Sequence, residues 1–156
     1  MIPFRTILVF SLTMIITCSC TSEEKERANA PALPGDRIEI RGAWARPANP
    51  GMMGGAYLTV ANGTKQADTL IGITTDIADT AEIHESYSRY DGISGMRPAG
   101  PLPIKAGSVL EMKPGAFHIM LMEVNKTLAA GDSISATLHF SRSGSLNVQI
   151  PIRQKQ

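Results

Sequence analysis

From Arg37 to Ile152 the chain is a series of short runs rich in Ile, Leu, Val, Thr and Ala, each cut off by Gly, Pro, Asn or Asp. Apolar residues at a period of two, interrupted every few positions by turn formers, leave no space for a helix of ordinary length. The runs that read as strands are Arg37–Arg46, Ala56–Asn62, Asp68–Thr74, Ala81–Ser86, Gly92–Arg97, Ser108–Met112, Phe117–Val124, Ser133–Phe140 and Ser145–Ile152. The breakers include Pro47-Ala48-Asn49-Pro50-Gly51, Asn62-Gly63, Asp91-Gly92, Pro101–Pro103, Lys113-Pro114-Gly115 and Gly131-Asp132. Thr75–Thr80 holds at most one helical turn. Evenly spaced strands of this number predict an antiparallel β-sandwich or barrel.

The N-terminus has a different character. Residues 1–20 read as a secretory leader: Arg5 supplies the positive start, and Ile7 to Ile16 is mostly apolar but short for a membrane span. Thr17-Cys18-Ser19-Cys20-Thr21 follows, and a cysteine directly after such a run resembles a bacterial lipoprotein cleavage box. Cys20 is the candidate lipidated residue, with Cys18 the alternative and a plain signal peptide cut elsewhere the other reading. Residues 21–36 are polar and Pro/Ala-rich, a composition that buries no core and reads as a flexible linker. The folded domain is expected at 37–153, attached to a membrane through the N-terminal lipid and exposed to the periplasm or cell envelope.

Composition narrows the chemistry. Fifteen Lys+Arg against 14 Asp+Glu argue against nucleic acid as a partner. Both cysteines lie in the leader, so the body has no thiol. A disulfide scaffold, a Cys-ligated zinc site, an iron–sulfur cluster, a cysteine nucleophile and a blue-copper centre are all excluded there. No Ser-His-Asp spacing, carboxylate pair or Gly-rich phosphate loop stands out, and the chain is expected not to be an enzyme.

What chemistry remains sits on His and Met. In Phe117-His118-Ile119-Met120-Leu121-Met122, His118 and Met120 are two apart on a strand and share a face. His84 ends one predicted strand and Met96 lies on the next, with Tyr90-Asp91-Gly92 as the turn between. A hairpin there lets His84 and Met96 face one point across the ladder. Imidazole and thioether together form a soft donor set that suits Cu(I), whereas Mg²⁺ and Ca²⁺ want oxygen and Zn²⁺ seldom takes thioether. The candidate metal ligands are therefore His84, Met96, His118 and Met120. Two other readings stay open. One is zinc held by His84, His118 and a carboxylate such as Glu85 or Glu82; the other is a metal-free β-sandwich lipoprotein serving as an adhesion or assembly module. Met122, Met112 and Trp44 are assigned to packing, Met52 and Met53 to a loop, His139 to a strand face, and Glu85 to solvent.

With these residues in place, the chain resembles the periplasmic copper chaperones called PCu(A)C. Their signature is His, about ten residues, Met, twenty-one residues, then His-x-Met. Here residues 97–117 separate Met96 from His118, which is twenty-one, and His118-Ile119-Met120 follows. Residues 85–95 separate His84 from Met96, one more than usual, and the extra residue falls to the Ser88–Asp91 loop. Supporting stretches are Ala43-Trp44-Ala45-Arg46-Pro47, Gly55-Ala56-Tyr57-Leu58-Thr59-Val60, Glu82-Ile83-His84-Glu85 and Leu110-Glu111-Met112-Lys113-Pro114-Gly115. The resemblance covers about Ile38 to Ile152. It implies a cupredoxin-like, antiparallel Greek-key β-sandwich that binds Cu(I) outside the cytoplasm. It also implies delivery to the copper centre of cytochrome c oxidase, the acceptor being the oxidase copper subunit or its assembly factors. The His/Met-rich tail of some family members is missing from Arg153-Gln154-Lys155-Gln156.

Overall fold

The alternating runs become two antiparallel sheets. The computed structural model describes residues 32–154; the leader and residues 21–31 of the linker lie outside the described residues. The strands are β1 (Ile38–Ala45), β2 (Gly54–Asn62), β3 (Asp68–Thr75), β4 (Ala78–Ser88), β5 (Ser94–Pro98), β6 (Leu102–Ile104), β7 (Ser108–Met112), β8 (Phe117–Val124), β9 (Ser133–Phe140) and β10 (Gly144–Pro151). One sheet runs β1-β2-β8-β4-β5, with β7 pairing the far end of β2; the other runs β10-β9-β3-β6. The chain changes sheet at β2–β3, β3–β4, β5–β6, β6–β7 and β8–β9. A parallel bridge between Ala45 and Ile152 links the end of β1 to the residue after β10.

Alternation sets which side chains fill the space between the sheets. On β9, Ile134, Ala136, Leu138 and Phe140 are buried, while Ser133 and Ser135 are exposed. Ala56, Leu58 and Val60 of β2, Leu70 and Ile73 of β3, and Ile119 and Leu121 of β8 join them in one core cluster. Each fully buried Leu or Ile contributes about 1.5–3 kcal/mol.

Two sequence expectations change. Pro101–Pro103 reads as a break, yet Leu102–Ile104 forms β6, with Leu102 and Ile104 buried and Pro103 exposed between them. β6 is an edge strand paired only with β3, where a proline's missing N–H removes no ladder bond. Trp44, expected in the core, is half-buried and outside the core cluster. The cause is a bulge in β1: the register runs Arg41↔Thr59 and then Trp44↔Tyr57, with Gly42 at φ +58°. One extra residue inverts the alternation. Trp44 therefore shares the outer face with Tyr57, and Ala45 takes the inner one opposite Ala56.

Asp68, the first residue of β3, is a buried carboxylate that fastens the β9–β10 turn. Its Oδ1 accepts from the Thr69 N–H at 2.7 Å, the Ser141 hydroxyl at 3.0 Å and the Arg142 N–H at 3.0 Å, and its Oδ2 accepts from the Ser143 N–H at 2.9 Å. Burial by itself raises the carboxyl. Hydrogen bonds from Ser143 and from the Thr69 and Arg142 N–H groups outweigh burial and lower the pKa to about 2.

Candidate metal centre

β8 lies between β2 and β4 and is buried on both faces along much of its length. Ile119 and Leu121 point into the sandwich core. His118 and Met120 alternate with them and point out of the other face of the sheet, yet they are only 4% and 7% exposed, and neither belongs to the core cluster.

The β4–β8 register places His84 directly opposite His118 and Glu82 opposite Met120. Directly opposed residues share a face, and the two imidazole centroids stand 6.1 Å apart. On the other edge of β4, Met96 pairs with Ser86 and Pro98 pairs with His84. Met96 is thus diagonal to His84 on the same face, and it is 55% exposed. All four candidate donors share one surface, three of them buried and one open to solvent. The hairpin that joins β4 to β5 turns at residues 89–93. There the Arg89 N–H donates to the Ile93 carbonyl at 2.8 Å, and Gly92 adopts φ +82°.

Hydrogen bonds fix which nitrogen of each imidazole carries the proton. His118 Nδ1 lies 3.0 Å from the Ala116 carbonyl, which can only accept. Nδ1 therefore bears the hydrogen, and Nε2 keeps its lone pair. His84 Nε2 lies 3.1 Å from Glu82 Oε2, so Nε2–H donates to the carboxylate and Nδ1 is left free. His84 Nδ1 and His118 Nε2 are both buried without a hydrogen-bond partner. A buried polar atom in that state costs about 1–3 kcal/mol, and the pair fits a site built to hold an ion by nitrogen lone pairs. Among the described residues, no three His, Cys, Asp or Glu side chains group to hold a metal. The sulfurs of Met120 and Met96 lie on the same face as the two imidazoles.

Aromatic side chains wall one side. Tyr57 stacks on Trp44 with centroids 4.5 Å apart and lies 6.4 Å from the His118 ring, and the Arg46 guanidinium sits 5.5 Å from the Tyr57 ring centre. Gly55, opposite Met120, makes space for this: a Cβ there would stand 3.0 Å from the Tyr57 hydroxyl. The carboxylate that meets His84 is Glu82. Glu85 lies across the ladder from Arg97 and pairs with it at 2.8 Å. Met122, assigned to packing, is half-buried outside the core cluster, two residues beyond Met120 on its face. Met112 is in the core, and Met52 and Met53 are exposed in the β1–β2 connection. His139 is on the second sheet, bonded to the Thr74 and Ser145 hydroxyls.

The profile of the LpqE-like lipoprotein family matches residues 38–152. Lxx21020 of Leifsonia xyli subsp. xyli, which carries a lipoprotein name, is 30% identical over 134 residues, 86% of this chain and 80% of that protein. The solution structure of Cu(I)-DR1885 from Deinococcus radiodurans has a TM-score of 0.60 at 26% identity, covering 85% of this chain and 87% of that one. The copper-bound PCuAC domain from PmoF2 has a TM-score of 0.64 at 20% identity, covering 78% and 97%. At that identity the likeness is one of fold.

Proposed function

Because the chain belongs to the LpqE-like lipoprotein family and folds as the PCu(A)C domains do, we propose that it is an extracytoplasmic copper chaperone with Cu(I) as its cargo. The observation that carries this reading is the pair of buried, unpartnered nitrogens, His84 Nδ1 and His118 Nε2, on the face that also bears Met120 and Met96. Two neutral imidazoles and two thioethers suit a soft d¹⁰ monovalent ion. The set brings no thiolate charge and no thiol to oxidise outside the cytoplasm.

In this reading His84 and His118 hold the ion from nitrogens whose protons sit on the far side of each ring. Met120 supplies the buried sulfur. Met96 is the exposed ligand, the one an incoming acceptor displaces first. The acceptor is the copper subunit of cytochrome c oxidase or one of its assembly factors, as the family resemblance implies. A lipid on Cys20, or on Cys18, holds the domain at the membrane by way of the linker, on the periplasmic or envelope side.

Anaerobic titration with Cu(I) against a competing chelator tests the assignment. The wild type is expected to bind one ion through this set, and His118→Ala combined with Met120→Ala is expected to lose it. Equal binding by both proteins refutes the ligand assignment. Preference for Zn²⁺ over Cu(I) in the same assay replaces copper with zinc.

A further inference from the structure

Among the described residues, three methionines lie outside both the core and the four-donor set: Met52, Met53 and Met122. Two of them, Met53 and Met122, stand two residues from Gly55 and Met120, which pair across the ladder. The chain leading into β2 runs antiparallel to β8. Gly54 and Gly55 pair with Leu121 and Met120, and the Val124 N–H donates to the Met52 carbonyl at 3.1 Å. Between those two anchor points, Met53 on one side faces Met122 and Glu123 on the other, one residue against two. Met122 is two residues beyond Met120 and points out of the same face, about 7 Å further along. Packing does not account for either side chain: Met122 is half-buried outside the core cluster, and Met53 is 70% exposed. The backbone is also unusual here. Glu123, directly after Met122, has φ +50°, a conformation that costs a non-glycine residue on the order of 1 kcal/mol.

We propose that Met53 and Met122 form a second, weaker binding point for a soft monovalent cation beside Met120, through which Cu(I) reaches and leaves the four-donor site. The proposal rests on the reading of that site as a Cu(I) site. A thioether carries neither charge nor a titratable proton. The step from Met120 sulfur to Met122 sulfur is therefore ligand exchange alone, moving the ion without an electron or a proton. The ligand class is Cu(I) and its congener Ag(I); hard divalent ions have no oxygen donor set in these two side chains.

The test uses the full chain with ¹³C-labelled methionine methyl groups, titrated with Ag(I), which needs no reductant. The first equivalent is expected to shift the Met96 and Met120 methyl signals. The second is expected to shift Met53 and Met122, with affinity weaker by about tenfold or more. The Met53→Leu/Met122→Leu variant keeps shape and apolarity but has no sulfur there. It is expected to bind the first equivalent unchanged, to lose the second, and to release Cu(I) to a chelator more slowly. Static Met53 and Met122 signals beside shifting Met96 and Met120 overturn the second site alone. A second equivalent retained by the double variant does the same. Shifts confined to Met53 and Met122 leave this site standing and overturn the four-donor site. Static signals from all four overturn both.

Discussion

Asp68 should make the domain acid-sensitive over a definable range. Its carboxyl dissociates near 3.8 in an unfolded chain and at about 2 in the fold. A group whose pKa falls on folding contributes stability that is complete above the unfolded value and is lost as pH drops through the folded one. The difference is worth about 2 kcal/mol at neutral pH. Asp68→Asn keeps the shape but replaces one acceptor oxygen with an NH₂ group. That group then faces donors, because the Ser143 N–H donates to Oδ2 and the Thr69 and Arg142 N–H groups donate to Oδ1. Urea unfolding, followed by the fluorescence of Trp44, the chain's single tryptophan, measures both proteins from pH 7 to pH 2. The wild type is expected to be more stable by about 2 kcal/mol at pH 7 and at pH 5, with the gap closing between about pH 4 and pH 2. Other carboxylates titrate in both proteins and drop out of the difference. A gap that stays constant down to pH 2, or that is missing at pH 7, refutes the account of Asp68 as a charge held by the β9–β10 turn.

Two further outcomes are expected. Glu82→Ala removes the acceptor that orients His84 and should weaken Cu(I) binding by about 10–100-fold. Glu85→Ala, which touches only the Arg97 pair, should leave it within twofold; equal losses from both would remove Glu82 from its orienting role. At Gly42 a Cβ would meet nothing within 4 Å, so Gly42→Ala costs only what φ +58° imposes, about 1–2 kcal/mol. Urea unfolding checks the figure, and a neutral result would mean that the bulge relaxes.

Ser133–Phe140, whose alternation is complete, is legible at its full length because each second residue meets the core; Phe117–Val124 keeps the alternation as far as Leu121 and loses it at the exposed Glu123. Leu102–Ile104 is hidden by its prolines, since edge position is a tertiary fact. The face of Trp44 is hidden for a different reason. Ile38, Ile40 and Trp44 share one parity in the sequence, and a bulge at Gly42 reverses it without any change in residue type. His118 and Met120 are readable as a pair because i and i+2 share a face on any strand. Met96 is harder, because loop length sets its register, and the structure pairs it with Ser86 rather than His84. Glu82 and Glu85 look alike beside His84 until its face is known. Then i−2 falls on it and i+1 does not. The Ala116 carbonyl that fixes the His118 tautomer belongs to the backbone before β8, and side-chain pattern is blind to it.

None of the four candidate donors belongs to the core cluster between the sheets. In small zinc domains the metal supplies the folding energy, and the empty chain is unfolded. In this sandwich, apolar burial completes the fold on one side of β8 while the donors wait on the other. On the proposed copper reading, the domain needs no metal to complete its core. In that reading, release of the ion leaves intact the apolar burial that holds the two sheets together. The empty and the loaded carrier of that reading would then share one fold, and the cost of binding would fall on the four side chains alone.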